Sequence, residues 1–71
     1  MRRMTNGKFS MRELEILELV AFENTIKEVA DKLFISQHTV VSHRKNIMTK
    51  LEVKNVAGMV RRGFELGLLK Y

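Results

Sequence analysis

The sequence predicts an all-α domain of four helices built around a helix-turn-helix. Three observations predict it. Thr25 to Leu51 (TIKEVADKLFISQHTVVSHRKNIMTKL) holds two helical segments separated only by Phe34, Ile35 and Ser36, and so short a connection makes two helices cross steeply. Each of the four candidate helices opens on a residue that can accept from a free backbone amide: Ser10, Thr25, Ser36 and Asn55. No Asp or Glu occurs from Lys32 to Leu51, while Lys32, Arg44, Lys45 and Lys50 lie inside that window.

Taken in order, Met1 to Lys8 (MRRMTNGK) lacks periodicity and carries the turn signal Asn6-Gly7. Residues 1–8 are expected to form a flexible basic arm, and residues 9–71 the domain. The first helix begins after Ser10. Ser10 and Glu13 have capping-box spacing, and Phe9 with Leu14 has that of a hydrophobic staple. Leu14, Ile16, Leu17, Val20 and Ala21 share one broad sector, with Glu13 close to it. In the second helix Thr25 and Glu28 form another capping box, and Ile26, Val29, Ala30 and Leu33 form an apolar stripe.

Ser36 caps the third helix, expected over about 37–50, with Ile35 and Val40 as its staple. At about 100° per residue, Val40, Ile47 and Leu51 cluster on one side. His38, Val41, Ser42, Lys45 and Thr49 lie opposite. That outer face is polar and basic, with one valine. A solvated face with a chance basic bias is the plainer reading, but the short turn and the acid-free basic window favour a negatively charged groove. Asn55 caps a fourth helix from Val56 to about Leu66, whose Val56, Met59, Val60, Gly63 and Phe64 share a face. Gly58 and Gly63 each cost about 1 kcal/mol against Ala in a helix. They permit close helix approach or are neutral. Gly67 ends this helix.

Seventy-one residues make one small domain. At this size a chain hides only about 60% of its unfolded surface, so packing must be good. Cysteine is absent, which removes disulfides and fits a reducing cytoplasm. No apolar run approaches the roughly 20 residues of a membrane span, so no membrane role is expected. Thirteen basic against eight acidic residues give a net charge of +5 and a pI near 10.0, a balance that favours a polyanion. No enzyme is expected. His38 and His43 stand about 140° apart on a helix and cannot share a metal. No phosphate-cradling loop or nucleophile motif is present. Ser36, Ser42 and His43 lack a nearby acid to orient the histidine. No metal or cofactor is implied.

The chain resembles the LuxR-type DNA-binding domain shared by LuxR, FixJ, NarL and GerE regulators. The matching residues are Arg12, Glu13, Glu15, Ile16 and Leu17, then Lys27, Glu28, Val29 and Ala30. They continue with Leu33, Ile35, Ser36, Thr39, Val40, His43, Ile47, Lys50, Leu51, Val53, Gly67 and Leu68. The resemblance spans about residues 9–69 and implies a LuxR-type four-helix fold. In the family the glutamate matching Glu13 is tied to an arginine after the recognition helix, where this chain has Val56. Glu13 is therefore read here as a cap. Glu23 stands where the family has a glycine with positive φ, and Asn24 is expected to take that conformation after a one-residue shift. Ile26 replaces a common asparagine, and Glu52 stands at another common glycine.

The expected function is a sequence-specific, double-stranded-DNA-binding bacterial transcription regulator. It is either a stand-alone regulator of the GerE kind or an excised output domain. Val41, Ser42 and Lys45 match the family positions that face base edges. Their chemistry suits the role: lysine pairs with guanine, serine donates or accepts, and valine packs on a thymine methyl. Lys27, Gln37, His38, Thr39, Arg44 and Thr49 are the candidates for phosphate. The resemblance also implies that the fourth helix pairs two protomers on DNA. Met59, Gly63, Gly67 and Leu68 are expected at that contact, and Val60 and Phe64 toward the core. RNA polymerase is a further expected partner, and the cytoplasmic nucleoid the expected place. Two alternatives remain. One is the promoter-reading region of a sigma factor, which calls for a polymerase-binding domain as well. The other is a protein-interaction module of this fold that has lost DNA binding, which would explain Val56 and Glu23 but not the intact basic helix.

Overall fold

The computed structural model describes residues 8–70. Its elements are α1 (Met11–Ala21), α2 (Ile26–Leu33), α3 (Gln37–Leu51) and α4 (Val56–Glu65). The expected arm of residues 1–8 lies outside the described residues, apart from Lys8. All four caps form as their sequences require. Ser10 and Thr25 each accept from the amide three residues on, and Glu13 and Glu28 return the bond, so both capping boxes are complete. Ser36 Oγ accepts from the Thr39 amide at 3.0 Å, and Asn55 Oδ1 from the Gly58 amide at 2.9 Å.

The helices also stop in a common way. Glu23, Phe34, Glu52 and Gly67, one after each helix, have φ between 58° and 77°. After each helix the next amide reaches back to a carbonyl five residues earlier, as Asn24 does to Leu19, Ile35 to Ala30, Val53 to Met48 and Leu68 to Gly63. This is the Schellman arrangement. Glycine adopts it without a steric cost, but the other three residues do not. Glu23 itself, not Asn24, takes the left-handed conformation after α1. Asn24 instead uses its side chain, donating to the Leu19 carbonyl at 2.8 Å and accepting from Lys32 at 2.6 Å. The expected one-residue shift does not occur because Asn24 serves the turn better as a hydrogen-bonding group.

The core joins all four helices. Ile16, Leu17, Val29, Val40, Ile47 and Met59 are its largest fully buried side chains. Helix α3 packs against each of the other three. The short turn at 34–36 sets its crossing with α2, and its buried stripe is Val40, Ile47 and Leu51, as the wheel predicts. Among the described residues no helix is long and apolar enough to cross a membrane, and no group of three His, Asp or Glu side chains could hold a metal ion.

Helix α4 is turned from its expected phase. Met59 is fully buried and Gly63 is buried, while Val60 and Phe64 are only half-buried. Beyond Gly67 the chain folds back and buries Leu69 against Gly63. A Cβ at Gly63 would stand 2.7 Å from Leu69 Cδ1 and 3.4 Å from Leu17 Cδ2. The small residue thus makes room for this chain's own tail. Met59 and Gly63 cannot form the expected protomer contact, because both face the core. Gly67 is exposed and Leu68 half-buried.

Relief of one left-handed glutamate should stabilise the domain. A non-glycine residue there costs roughly 1–2 kcal/mol, against about 0.5–1 kcal/mol of added chain entropy for glycine. Glu52 also places a negative charge at the C-terminus of α3, where the helix dipole opposes it, and it forms no ion pair among the described residues. Glu52→Gly should therefore gain about 1 kcal/mol and raise the melting temperature by roughly 4–8 °C. An unchanged or lower melting temperature would refute this account of the turn.

Candidate nucleic-acid interface

Helix α3 presents its outer face to solvent because its inner face is fully used. Val41, Ser42 and Lys45, the three expected base readers, are all exposed, Val41 at 37%. Val41 and Lys45 are four residues apart and so stack one turn above the other. Gln37 and His38 are exposed in the first turn, beside backbone amides that have no partner inside the helix. The α3 helix carries no acidic residue.

The remaining candidates for phosphate are placed less alike. Thr39 is half-buried, and its hydroxyl lies 2.8 Å from Ser36 Oγ. Thr49 is exposed, but its hydroxyl donates to the Lys45 carbonyl at 3.0 Å. Lys27 stands on α2 in an exposed ion pair with Asp31 at 3.0 Å, a contact weak enough for a phosphate to displace. Arg44 lies about 40° from Val40 around the helix, on the flank of the buried side. It is half-buried, and its Nε is buried with no hydrogen-bond partner among the described residues. The structure therefore gathers Gln37, His38, Val41, Ser42 and Lys45 on one face, with Lys27 on a separate helix and Arg44 at the margin.

One ion pair missed by the sequence reading holds this face in place. Lys50 Nζ, at the end of α3, donates to both carboxylate oxygens of Glu13 at 2.8 and 3.1 Å. It also donates to the Lys8 carbonyl at 3.0 Å and stands 5.5 Å from the centre of the Phe9 ring. Lys8 Nζ returns a bond to the Lys50 carbonyl at 3.2 Å. Glu13 is 5% exposed. It is a cap, as expected, and an ion-pair partner as well. Burial opposes its ionisation. The Lys50 hydrogen bonds, the Ser10 amide and the charges of Lys50 and His43 outweigh that, and its pKa falls below the ordinary 4.5. Two signals in the sequence pointed here: Glu13 lies near the buried sector of its helix, and no arginine stands at position 56 to pair with it.

Known proteins match this sequence over most of its length. A family model described as bacterial regulatory proteins of the luxR family matches residues 7–62. The oxygen regulatory protein NreC of Staphylococcus haemolyticus is 43% identical over 70 residues, which cover 94% of this chain and 32% of that protein. The oxygen regulatory protein NreC of Staphylococcus aureus (strain JH9) is 45% identical over 62 residues, 87% of this chain and 29% of that protein. The chain thus spans about a third of the length of these curated relatives.

The lowered pKa of Glu13 has a definite sign. Stability from this carboxylate is fully present above its unfolded value, near 4.5, and is lost as the pH falls through the lower folded value. The melting temperature should therefore drop on acidification below that point. In Glu13→Gln this acid limb should be shallower, leaving the part due to Glu28 and Glu65, whose pKa values are also lowered. Lys50→Met should destabilise the domain by less than the roughly 3–5 kcal/mol of a fully buried pair, because Lys50 is 34% exposed and water screens the pair. Equal acid limbs in the wild type and Glu13→Gln would show that the pair contributes nothing.

Proposed function

The chain belongs to the luxR family of bacterial regulatory proteins, and we propose that it is a sequence-specific reader of double-stranded DNA with α3 in the major groove. The observation that carries this reading is the exposed, acid-free face of α3, held against three other helices. The recognition helix of a helix-turn-helix needs that arrangement. Lys45 takes guanine O6 and N7, Ser42 donates or accepts at a base edge, and Val41 packs on a thymine methyl. Gln37 and His38 meet phosphate together with the first-turn amides of α3. Lys27 meets phosphate from α2 after leaving Asp31. Thr39, Arg44 and Thr49 complete the backbone contacts after their side chains turn outward.

On DNA the protein acts as a pair of protomers. Of the four positions first expected at their contact, Gly67 and Leu68 keep that role, and half-buried Val56 and Val60 supply the apolar surface of α4. The contact is small, so DNA holds the pair together by raising their effective concentration. The two recognition helices then lie one DNA turn apart, about 34–36 Å. The chain works as the DNA-binding part of a transcription regulator in the cytoplasm, at the nucleoid, where RNA polymerase is its further partner.

Two measurements test the reading. The plot of log affinity against log salt should slope by about −0.9 for each phosphate neutralised, with roughly 4–6 phosphates per protomer. A slope near zero, or no binding to a diverse DNA pool at low salt, would exclude it. Lys45→Ala should cost about 1–3 kcal/mol on the preferred site and relax one base pair. Lys27→Ala should weaken all sequences about equally. A uniform loss in Lys45→Ala would make that lysine a phosphate contact only.

A further inference from the structure

We propose that Asn46 is a fourth base-reading residue of α3 and that it selects adenine. The inference rests on the placement of α3 in the major groove and deepens it. Between positions 41 and 49 the exposed side chains are Val41, Ser42, Lys45, Asn46 and Thr49. They form two adjacent rows. Val41 and Lys45 make one, and Ser42 and Asn46 the other, each pair one turn apart. Val41 marks one margin of the exposed face and Asn46 the other, at similar angles from the buried stripe of Val40, Ile47 and Leu51. A groove that accepts Val41 on one margin has Asn46 at its opposite edge.

Asn46 has no structural task that accounts for it. Its side chain forms no hydrogen bond or ion pair among the described residues. Thr49, one turn further, differs in that its hydroxyl is already bonded to the Lys45 carbonyl. Asparagine is also a poor residue for a helix interior, where its amide competes with the backbone. An unbonded carboxamide carries a donor and an acceptor side by side. That pair matches the N6 amino group and N7 of adenine, as lysine matches O6 and N7 of guanine. Asn46 directly follows Lys45, so the adenine lies close beside the guanine taken by Lys45.

The test is enrichment from random duplex DNA followed by sequencing, with the wild-type protein, Asn46→Ala and Asn46→Asp. The position is exposed, so both variants fold, and circular dichroism checks it. The wild type should enrich a motif with an adenine near the guanine. In Asn46→Ala the preference for that adenine should fall by roughly 5- to 150-fold, the worth of one bidentate pair. In Asn46→Asp it should move to cytosine, because a carboxylate accepts from cytosine N4. The guanine should persist in both. Wild-type motifs from both variants overturn the proposal, and so does equal weakening on every sequence, which marks a phosphate contact. A wild-type profile with no motif overturns the base-reading role of α3, and that of Asn46 with it.

Discussion

The bond between Glu13 and Lys50 is the constraint on which the rest of the arrangement depends. It joins the first turn of α1 to the last turn of α3, two points 37 residues apart in the chain. The start of α3 is set by the Ser36 cap and the three-residue turn, and its middle by Val40 and Ile47 in the core. Without Lys50 its final turn would be held by Leu51, the half-buried Met48 and the Glu52 stop. Buried ion pairs give little net stability against an apolar substitute, and their better-attested use is to fix geometry. The pair here does so by its position. It ties the end of α3, and with it the outer face, to the start of α1, and Phe9, Ser10 and Lys8 close around it.

This use of Lys50 changes the electrostatics of the basic window. Of its four cations, Lys50 is neutralised by Glu13, Lys32 donates to Asn24 and Arg44 lies on the inner flank. Lys45 is exposed at the centre of the face, without an ion pair among the described residues. A net charge of +5 therefore overstates what the reading face itself offers a polyanion. In the proposed DNA complex, specificity then rests on few side chains, and affinity depends more on the first-turn amides and on Lys27 from the neighbouring helix.

Most of the fold was legible because its signals are local. Capping boxes at Ser10 and Thr25, the Ser36 and Asn55 caps and the stop at Gly67 each involve a few neighbouring residues, and all appear as read. The exposed face of α3 was legible from periodicity alone. What was misread depends on contacts distant in sequence. The phase of α4 is set by Leu69, which returns over Gly63, and a helical wheel of α4 holds no information about a tail beyond its end. Lys50 looked like one more cation of the window, since its partner lies on another helix. At Glu23 the family's glycine suggested that a glutamate would be avoided there. The backbone instead accepted the strain, and Asn24 bonded the turn with its side chain.

The left-handed stops have a consequence for how quickly the chain finds this structure. Each reverses the chain within three or four residues, so every helix meets its neighbour in sequence before any distant contact is needed. Chains dominated by such near pairings fold in microseconds to milliseconds. A domain of marginal size opens from time to time, and an exposed core invites proteolysis and aggregation. A chain with such near pairings is expected to close rapidly, so that each opening is brief. Survival between encounters with a target thus depends on the speed of return as well as on the depth of the folded well.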